Sequence, residues 1–407
     1  MKRKFVDFKV LTASLCCAVV MGVISFVFLK MLGLSSVFRE FFPYCIWFLP
    51  LSGMLTAFVY KKYGGESSKG NNLIIQSANK GVKVPKRLAV LTFFFTLLTH
   101  FSGGSAGREG TAVQIGGTLT SNVADKFGFK KEDRKTIILS GLSSAFGSVF
   151  GTPLAGAFFG MEVCCIGQLS ASAVIPCFLS SYLANAVTLL LGATHEVHTI
   201  ASVPNFDFKL ILIFVSASVF FGLLGKLFAL AVKYLKLLYA KIFKNTVLSA
   251  LAGSVVVTLL IILLNLNKYE GLSTWQQTTA FEGNANWYDM PVKFILTTLT
   301  LGAGFQGGEV TPLFDIGASF GGWYANLFGI EPSFFAAIGL ICVFGSAANT
   351  PIATIMLGIE LFGAEAAPYF VFASLISFIA SGKSGIYSSQ ERKLSKSLFS
   401  AKADFSE

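Results

Sequence analysis

Two carboxylates stand where acidic side chains are costly. Residues 103–117 read GGSAGREGTAVQIGG, with Glu109 beside Arg108 among six glycines, and residues 307–312 read GGEVTP, with Glu309 in a similar setting. Long apolar runs flank both stretches. A carboxylate at membrane depth is expensive and by default functional. Each stretch is too rich in glycine to lie mid-helix, and each precedes a segment with helical periodicity. A helix starting there presents unpaired N–H groups and partial positive charge, which are the makings of an anion site. Glycine lets the backbone approach an ion closely. Gly110, Thr111, Val310 and Thr311 would supply the amides and Thr311 a hydroxyl, the alternative being that Thr111 and Thr311 are simply N-terminal helix residues. Glu109, directly ahead of such a helix start, can take the anion's place itself. Protonated, it would be released and leave the place to a real anion. One side chain would then serve as gate and proton carrier.

Such a site needs helices that reach the middle of a bilayer, and the composition supplies them. The chain has 407 residues, 54% of them hydrophobic and 13% charged, with a mean hydropathy of +0.68. Soluble domains carry about 25% charged residues. Runs such as Val10–Leu32, Leu210–Leu235 and Val247–Leu264 are long enough to span. Without them no enzyme-sized soluble domain remains, since the longest polar stretch is Lys61–Arg87. The first apolar run is too long for a secretory leader and lacks a small-residue cleavage site, so it reads as a membrane helix. The net charge of +11 does not call for nucleic acid. Basic residues cluster in short connectors at Lys2–Lys4, Lys61, Lys62, Lys69, Lys80–Arg87, Lys130–Lys135 and Arg392–Lys396. That is the positive-inside pattern, and it puts both termini in the cytoplasm. THEVHTIASVPNFD and YEGLSTWQQTTAFEGNANWYD, with no lysine or arginine, read as outside. The seven cysteines sit in or beside apolar runs without paired spacing, so neither disulfides, a metal nor a cofactor is expected.

The chain also resembles itself. GREGTAVQIGG from Gly107 aligns with GGEVTPLFDIGA from Gly307, pairing Glu109 with Glu309 and Thr111 with Thr311. GSVFGTPLAGAFFGMEV from Gly147 aligns with GSAANTPIATIMLGIEL from Gly345, pairing Glu162 with Glu360. Two matches in order predict an all-α polytopic protein of two related membrane halves, 1–204 and 205–390, followed by a short tail, 391–407. Duplicated halves usually meet at a substrate site near the midplane, built from broken helices. Glu162 and Glu360, recurring near helix ends, read as a repeated structural feature. His100, two residues before the first break, reads as packing or a hydrogen-bonded cap.

These motifs resemble the CLC family of anion channels and anion/proton antiporters. GREGT (107–111) is similar to its G-R/K-E-G-P signature and GGEVTP (307–312) to its G-x-F-x-P signature. GNNLI (70–74) falls at its G-S-G-I-P, and Tyr387 in GKSGIYSS resembles the tyrosine that closes the pathway's inner end. The resemblance runs from about residue 10 to 390. It implies a CLC-type inverted repeat with tilted and broken helices, pseudo-symmetric halves, and a homodimer in which each subunit holds its own pathway. Departures point to the fluoride-exporting branch, the bacterial fluoride/proton antiporters. Asn71 stands at the chloride-coordinating serine, Thr111 at a proline, and Val163 at the internal proton-transfer glutamate. Glu309 could fill that gap by relaying protons to Glu109; a helix cap is its bland alternative. Asn71 would donate to fluoride or, like Asn72, simply cap a helix. Arg108 would bias the outer mouth toward anions.

The expected function is therefore export of fluoride in exchange for protons by a multi-pass protein of a bacterial inner membrane. The chloride/proton exchanger and the passive anion channel stay as alternatives within the family. An intramembrane hydrolase using Glu109 and Glu309 lacks an HExxH, an aspartate pair or a Ser/His pair, so the protein does not read as an enzyme. A cation-coupled carrier is disfavoured because helix N-termini repel cations.

Overall fold

The computed structural model describes residues 7–205 and 207–392. Lys2–Lys4 and nearly all of the 391–407 tail lie outside the described residues. The first eight helices are α1 (Phe8–Phe41), α2 (Leu49–Val59), α3 (Asn71–Lys80), α4 (Arg87–Phe101), α5 (Glu109–Lys126), α6 (Lys131–Phe150), α7 (Pro153–Glu162) and α8 (Val174–Leu190). The next eight are α9 (Phe208–Ile242), α10 (Thr246–Leu263), α11 (Trp275–Phe281), α12 (Asp289–Gly302), α13 (Val310–Phe328), α14 (Pro332–Ala348), α15 (Pro351–Phe362) and α16 (Ala367–Ser381). Two short strands, β1 (Cys165–Ile166) and β2 (Glu391–Arg392), pair in parallel.

The two longest helices open the same way. Asp7 accepts from the Lys9 amide at 3.0 Å ahead of α1, and Asp207 from the Leu210 amide at 2.6 Å ahead of α9. An aspartate cap satisfies an orphan N–H and favours the positive helix end. At 34 and 35 residues both helices exceed what a perpendicular crossing needs. Among the described residues five helical stretches are long and apolar enough to cross a membrane, and shorter apolar helices accompany them, α4 between the spans and α14, α15 and α16 after the last.

Helix packing relies on glycine at two matching places. A Cβ on Gly116 of α5 would lie 2.4 Å from the Gly141 carbonyl oxygen of α6. A Cβ on Gly317 of α13 would lie 2.1 Å from the Gly339 carbonyl oxygen of α14. Neither contact leaves room for a side chain, so backbones meet directly and dispersion replaces the hydrophobic drive that lipid does not supply. Most of α6 and nearly all of α14 are buried.

Glu162 and Glu360 cap each other's helices. Glu162, at the end of α7, accepts from the Ile352 and Ala353 amides that start α15, at 3.1 and 2.8 Å. Glu360, near the end of α15, accepts from the Leu154 and Ala155 amides that start α7, both at 2.8 Å. Each carboxylate meets free N–H groups that proline-initiated helices leave open.

A buried ion pair holds α12 to α13. Lys293 and Asp315 are both fully buried, with Nζ 3.5 Å from Oδ2. The ammonium also donates to the Gly271 and Leu272 carbonyls, each at 3.0 Å, and to Ser273 Oγ at 2.6 Å. Gln277 donates to Asp315 Oδ1 at 2.7 Å. With so many partners the charges are compensated, and removing one would strand the other.

The polar stretch Lys61–Arg87 is not a plain connector. It contains α3, whose Leu73, Ile74 and Ile75 are buried while its lysine end is exposed. Ten residues are too few to span, so hydropathy over a long window hides this helix.

Candidate anion and proton site

The two glycine-rich breaks meet. Gly107 N–H donates to the Gly308 carbonyl and Gly308 N–H to the Gly107 carbonyl, both at 2.7 Å, in an isolated antiparallel bridge. α4 stops at Phe101 and α5 begins at Glu109; α12 stops at Gly302 and α13 begins at Val310. The bridge thus lays two helix starts side by side. A Cβ on Gly308 would lie 2.8, 2.9 and 3.1 Å from the amide nitrogens of Gly110, Glu109 and Arg108. Only glycine fits there.

Glu109 reaches from one helix start to the other. Its carboxylate is fully buried and accepts from Thr311 N–H at 3.2 Å and from Thr311 Oγ1 at 2.6 Å. Arg108 contributes its own amide at 3.1 Å and its Nε at 3.2 Å. The side chain sits on the amino end of α13, the place where an anion would bind. Every one of these donors is offered to negative charge.

Several residues sit differently from their sequence-based reading. Arg108, whose side chain stays partly exposed, pairs through Nε with Glu109 at 3.2 Å. The Thr111 hydroxyl does not face Glu109: it pairs with Thr96 of α4 at 2.7 Å, leaving Thr111 only its backbone for a ligand. Asn71 is no N-cap, since Gly70 (φ 54°) takes that position and Asn71 begins the first turn. Its Oδ1 is buried without a hydrogen-bond partner among the described residues. Asn72 does not cap either; its Oδ1 accepts from Ser389 N–H at 2.9 Å and Ser388 Oγ at 3.2 Å, clamping the segment that carries Tyr387.

Glu309 is the N-cap residue of α13, yet it makes no side-chain cap bond there. Its carboxylate lies near Gly110, where an added Cβ would be 3.6 Å from Oε2 and 3.2 Å from Asn71 Nδ2. Val310 is buried beside it. Tyr387 is buried, its hydroxyl unpartnered among the described residues, with its ring edge-on to Phe159. Gln390 fixes its segment by donating to the Val163 and Ala348 carbonyls at 2.9 and 2.8 Å and accepting from Asn349 at 3.0 Å.

Two chambers adjoin the bridge. One, of about 360 Å3, is lined by Asn71, Gln114, Glu309, Tyr387 and the lysines Lys233 and Lys236. The other is smaller and holds Arg108, Glu109, Thr311 and His195. Glu309 therefore faces the lysine chamber and Glu109 the histidine chamber. The polar lining of the larger one is aimed but unpaired: Asn71 Oδ1, Gln114 Oε1 and Tyr387 Oη all lack partners among the described residues.

The sequence reading missed Gln114 and His195. Gln114 lies one helical turn after Gly110, so the i, i+4 rule puts it on the same face. His195 has no such signal, because its loop meets the site only in the folded chain. His100 is buried, its Nε2 lying 3.2 Å from the Gly107 carbonyl of the break.

Comparisons with known proteins show the family and the fold. Residues 52–382 match the family described as voltage gated chloride channel, whose abbreviation is CLC. The chain belongs to the CLC family. It is 38% identical over 380 residues to a chloride/fluoride channel protein of Pseudomonas syringae pv. tomato, covering 92% of this chain and 84% of that one. It is 26% identical over 325 residues to an H(+)/Cl(-) exchange transporter, ClcA, of Vibrio cholerae, covering 75% of this chain and 69% of the relative. A crystal structure of a CLC-type fluoride/proton antiporter superposes with a TM-score of 0.89 at 34% identity, over 94% of this chain and 98% of that one. The fold is thus the all-α, multi-pass membrane fold of CLC proteins. These relatives carry channel, exchanger and antiporter names, and the hydrolase reading is set aside.

Proposed function

We propose that this CLC protein is a fluoride/proton antiporter that exports fluoride against protons entering from outside. One observation carries the reading: the Glu109 carboxylate rests on the Thr311 amide and hydroxyl at the start of α13, as a bound anion would. Protonating Glu109 removes the charge those donors attract, and fluoride then takes the place. Release of the proton returns the carboxylate and expels the anion.

Residues 1–204 and 205–390 serve as the two inverted halves, with residues 391–407 as a tail. The lysine chamber faces the cytoplasm of a bacterial cell, as do both termini, and the protein works as a homodimer with a pathway in each subunit. Asn71, Tyr387 and the amides of Gly110, Thr111, Val310 and Thr311 line fluoride's route. Fluoride is small and strongly hydrated, so compact donors suit it better than a larger halide. Among relatives, the fluoride/proton antiporter and the chloride/fluoride channel protein support that choice. The ClcA relative supports chloride as the second reading.

Purified protein in proteoliposomes, followed with fluoride- and chloride-selective electrodes, decides between them. Fluoride efflux is expected to outrun chloride efflux and to draw protons inward. Chloride leaving as fast as fluoride would end the fluoride reading.

Glu309 supplies the second carboxylate on the cytoplasmic side of Glu109. Glu309→Gln keeps the shape but removes a group that can take and yield a proton. Coupled exchange is expected to drop by about a hundredfold, the lower range for losing a positioned acid or base. Turnover at the unsubstituted rate would return Glu309 to the role of a helix-end residue.

A further inference from the structure

The histidine chamber holds a group that the exchange scheme has not used. We propose that His195 is the outer proton port, passing protons from external water to Glu109. This rests on the antiporter reading.

His195 belongs to the connector between α8 and α9, a loop free of lysine and arginine. Its ring lies against Gly151, where an added Cβ would come within 2.5 Å of Cδ2, so the backbone there has to stay bare. Both ring nitrogens are buried and have no hydrogen-bond partner among the described residues. An imidazole so placed normally finds a partner, because an unpaired buried polar atom is destabilising. Here the same ring lines the chamber that contains Glu109 and Arg108.

The surrounding loop is held in place. Thr274 donates to Glu196 Oε1 at 2.7 Å, and the His198 ring stacks on Phe281 with centroids 4.8 Å apart. Glu196 is more than half exposed and so meets external water. The charged and titratable groups facing the chamber are Arg108 and Glu109 from the first break, with Glu196 and His198 from the loop. The lining from α6, α11, α13, α14 and α15 is uncharged: Phe150, Gln277, Thr311, Phe314, Leu340 and the pair Leu361 and Phe362. The space of about 50 Å3 admits roughly one or two waters, enough to bridge a ring nitrogen to a carboxylate.

Burial and the nearby Arg108 guanidinium push the His195 imidazole down to about 4, so the ring rests neutral with one nitrogen open. A proton from water binds that nitrogen. The other nitrogen then yields its proton to the Glu109 carboxylate, directly or through chamber water. The ring ends neutral as the opposite tautomer, and the net change is one proton moved inward.

The test uses full-length protein in proteoliposomes, with proton uptake driven by an outward fluoride gradient. His195→Ala is expected to slow initial uptake at least about tenfold while leaving the fluoride-to-proton ratio unchanged. Free imidazole added outside should restore the rate, which a merely structural loss would not allow. His195→Gln, nearer in volume, repeats the measurement should the alanine variant fold poorly. Uptake at the unsubstituted rate in either variant, or a loss that imidazole leaves untouched in both, overturns the assignment. An unsubstituted protein that moves no protons ends the antiport reading itself; full exchange without His195 ends only this one.

Discussion

Glu109→Gln stops proton movement. The carboxylate is held by donors alone: Thr311 N–H and hydroxyl from α13, and Arg108 amide and Nε from its own turn. Glutamine presents one neutral oxygen and one NH2 group, so half of its head now opposes the N–H groups that carboxylate oxygens satisfied. It also cannot exchange a proton near neutral pH. The variant therefore resembles a permanently protonated gate, unable to return to its seat with charge. Fluoride-driven proton uptake is expected to fall by about a hundredfold or more, into the leak of empty vesicles. Fluoride efflux, if retained, should lose its dependence on the external proton concentration. Undiminished proton uptake in that variant would remove Glu109 from the mechanism.

Gly308→Ala abolishes both fluxes. The extra methyl group would have to sit 2.8 to 3.1 Å from the backbone nitrogens of Gly110, Glu109 and Arg108. Backbone cannot swing aside as a flexible side chain can, so the Gly107–Gly308 bridge must open and the two helix starts separate. Donors displaced by about 1 Å from a reacting group cost about a hundredfold in rate. The chain itself should survive, because one added methylene in a packed region costs about 1–3 kcal/mol. Gly33→Ala is the matched control: nothing lies within 4 Å of its added Cβ, and transport should be unchanged. Both variants would be compared for fluoride efflux, proton uptake and thermal unfolding. Normal transport by Gly308→Ala would show that the bridge does not set the site.

Other parts of the site show what one dimension hides. Glu109 and Glu309 stood out because a carboxylate inside glycine and apolar sequence has few bland explanations, and because the duplication presented the motif twice. Their division between two chambers did not, since a repeat offset says nothing about which way a side chain points. Asn71 and Asn72 show the same limit. Both types cap helices, but Gly70 adopts the positive φ that the turn requires and displaces them from the cap. Thr111 and Thr311 are paired by alignment, yet Thr96 engages the hydroxyl of one while Glu109 engages the other. Pseudo-symmetry of sequence is broken by unequal neighbours. Gln114 was within reach of helical periodicity; His195 was not.

The amino-acid sequence by itself determined that this chain lives in a bilayer, that its helices break at two glycine-rich places, and that an acid stands at each. Those are local matters of hydropathy, backbone freedom and charge, all readable within a few dozen residues. Only the tertiary structure decided that the breaks join at Gly107 and Gly308, that Glu109 takes its donors from Thr311 some two hundred residues away, and that Glu162 and Glu360 cap one another's helices. The physical reason is that hydrogen-bond donors freed where a helix is broken must be satisfied, and the groups that satisfy them here are supplied by distant parts of the chain.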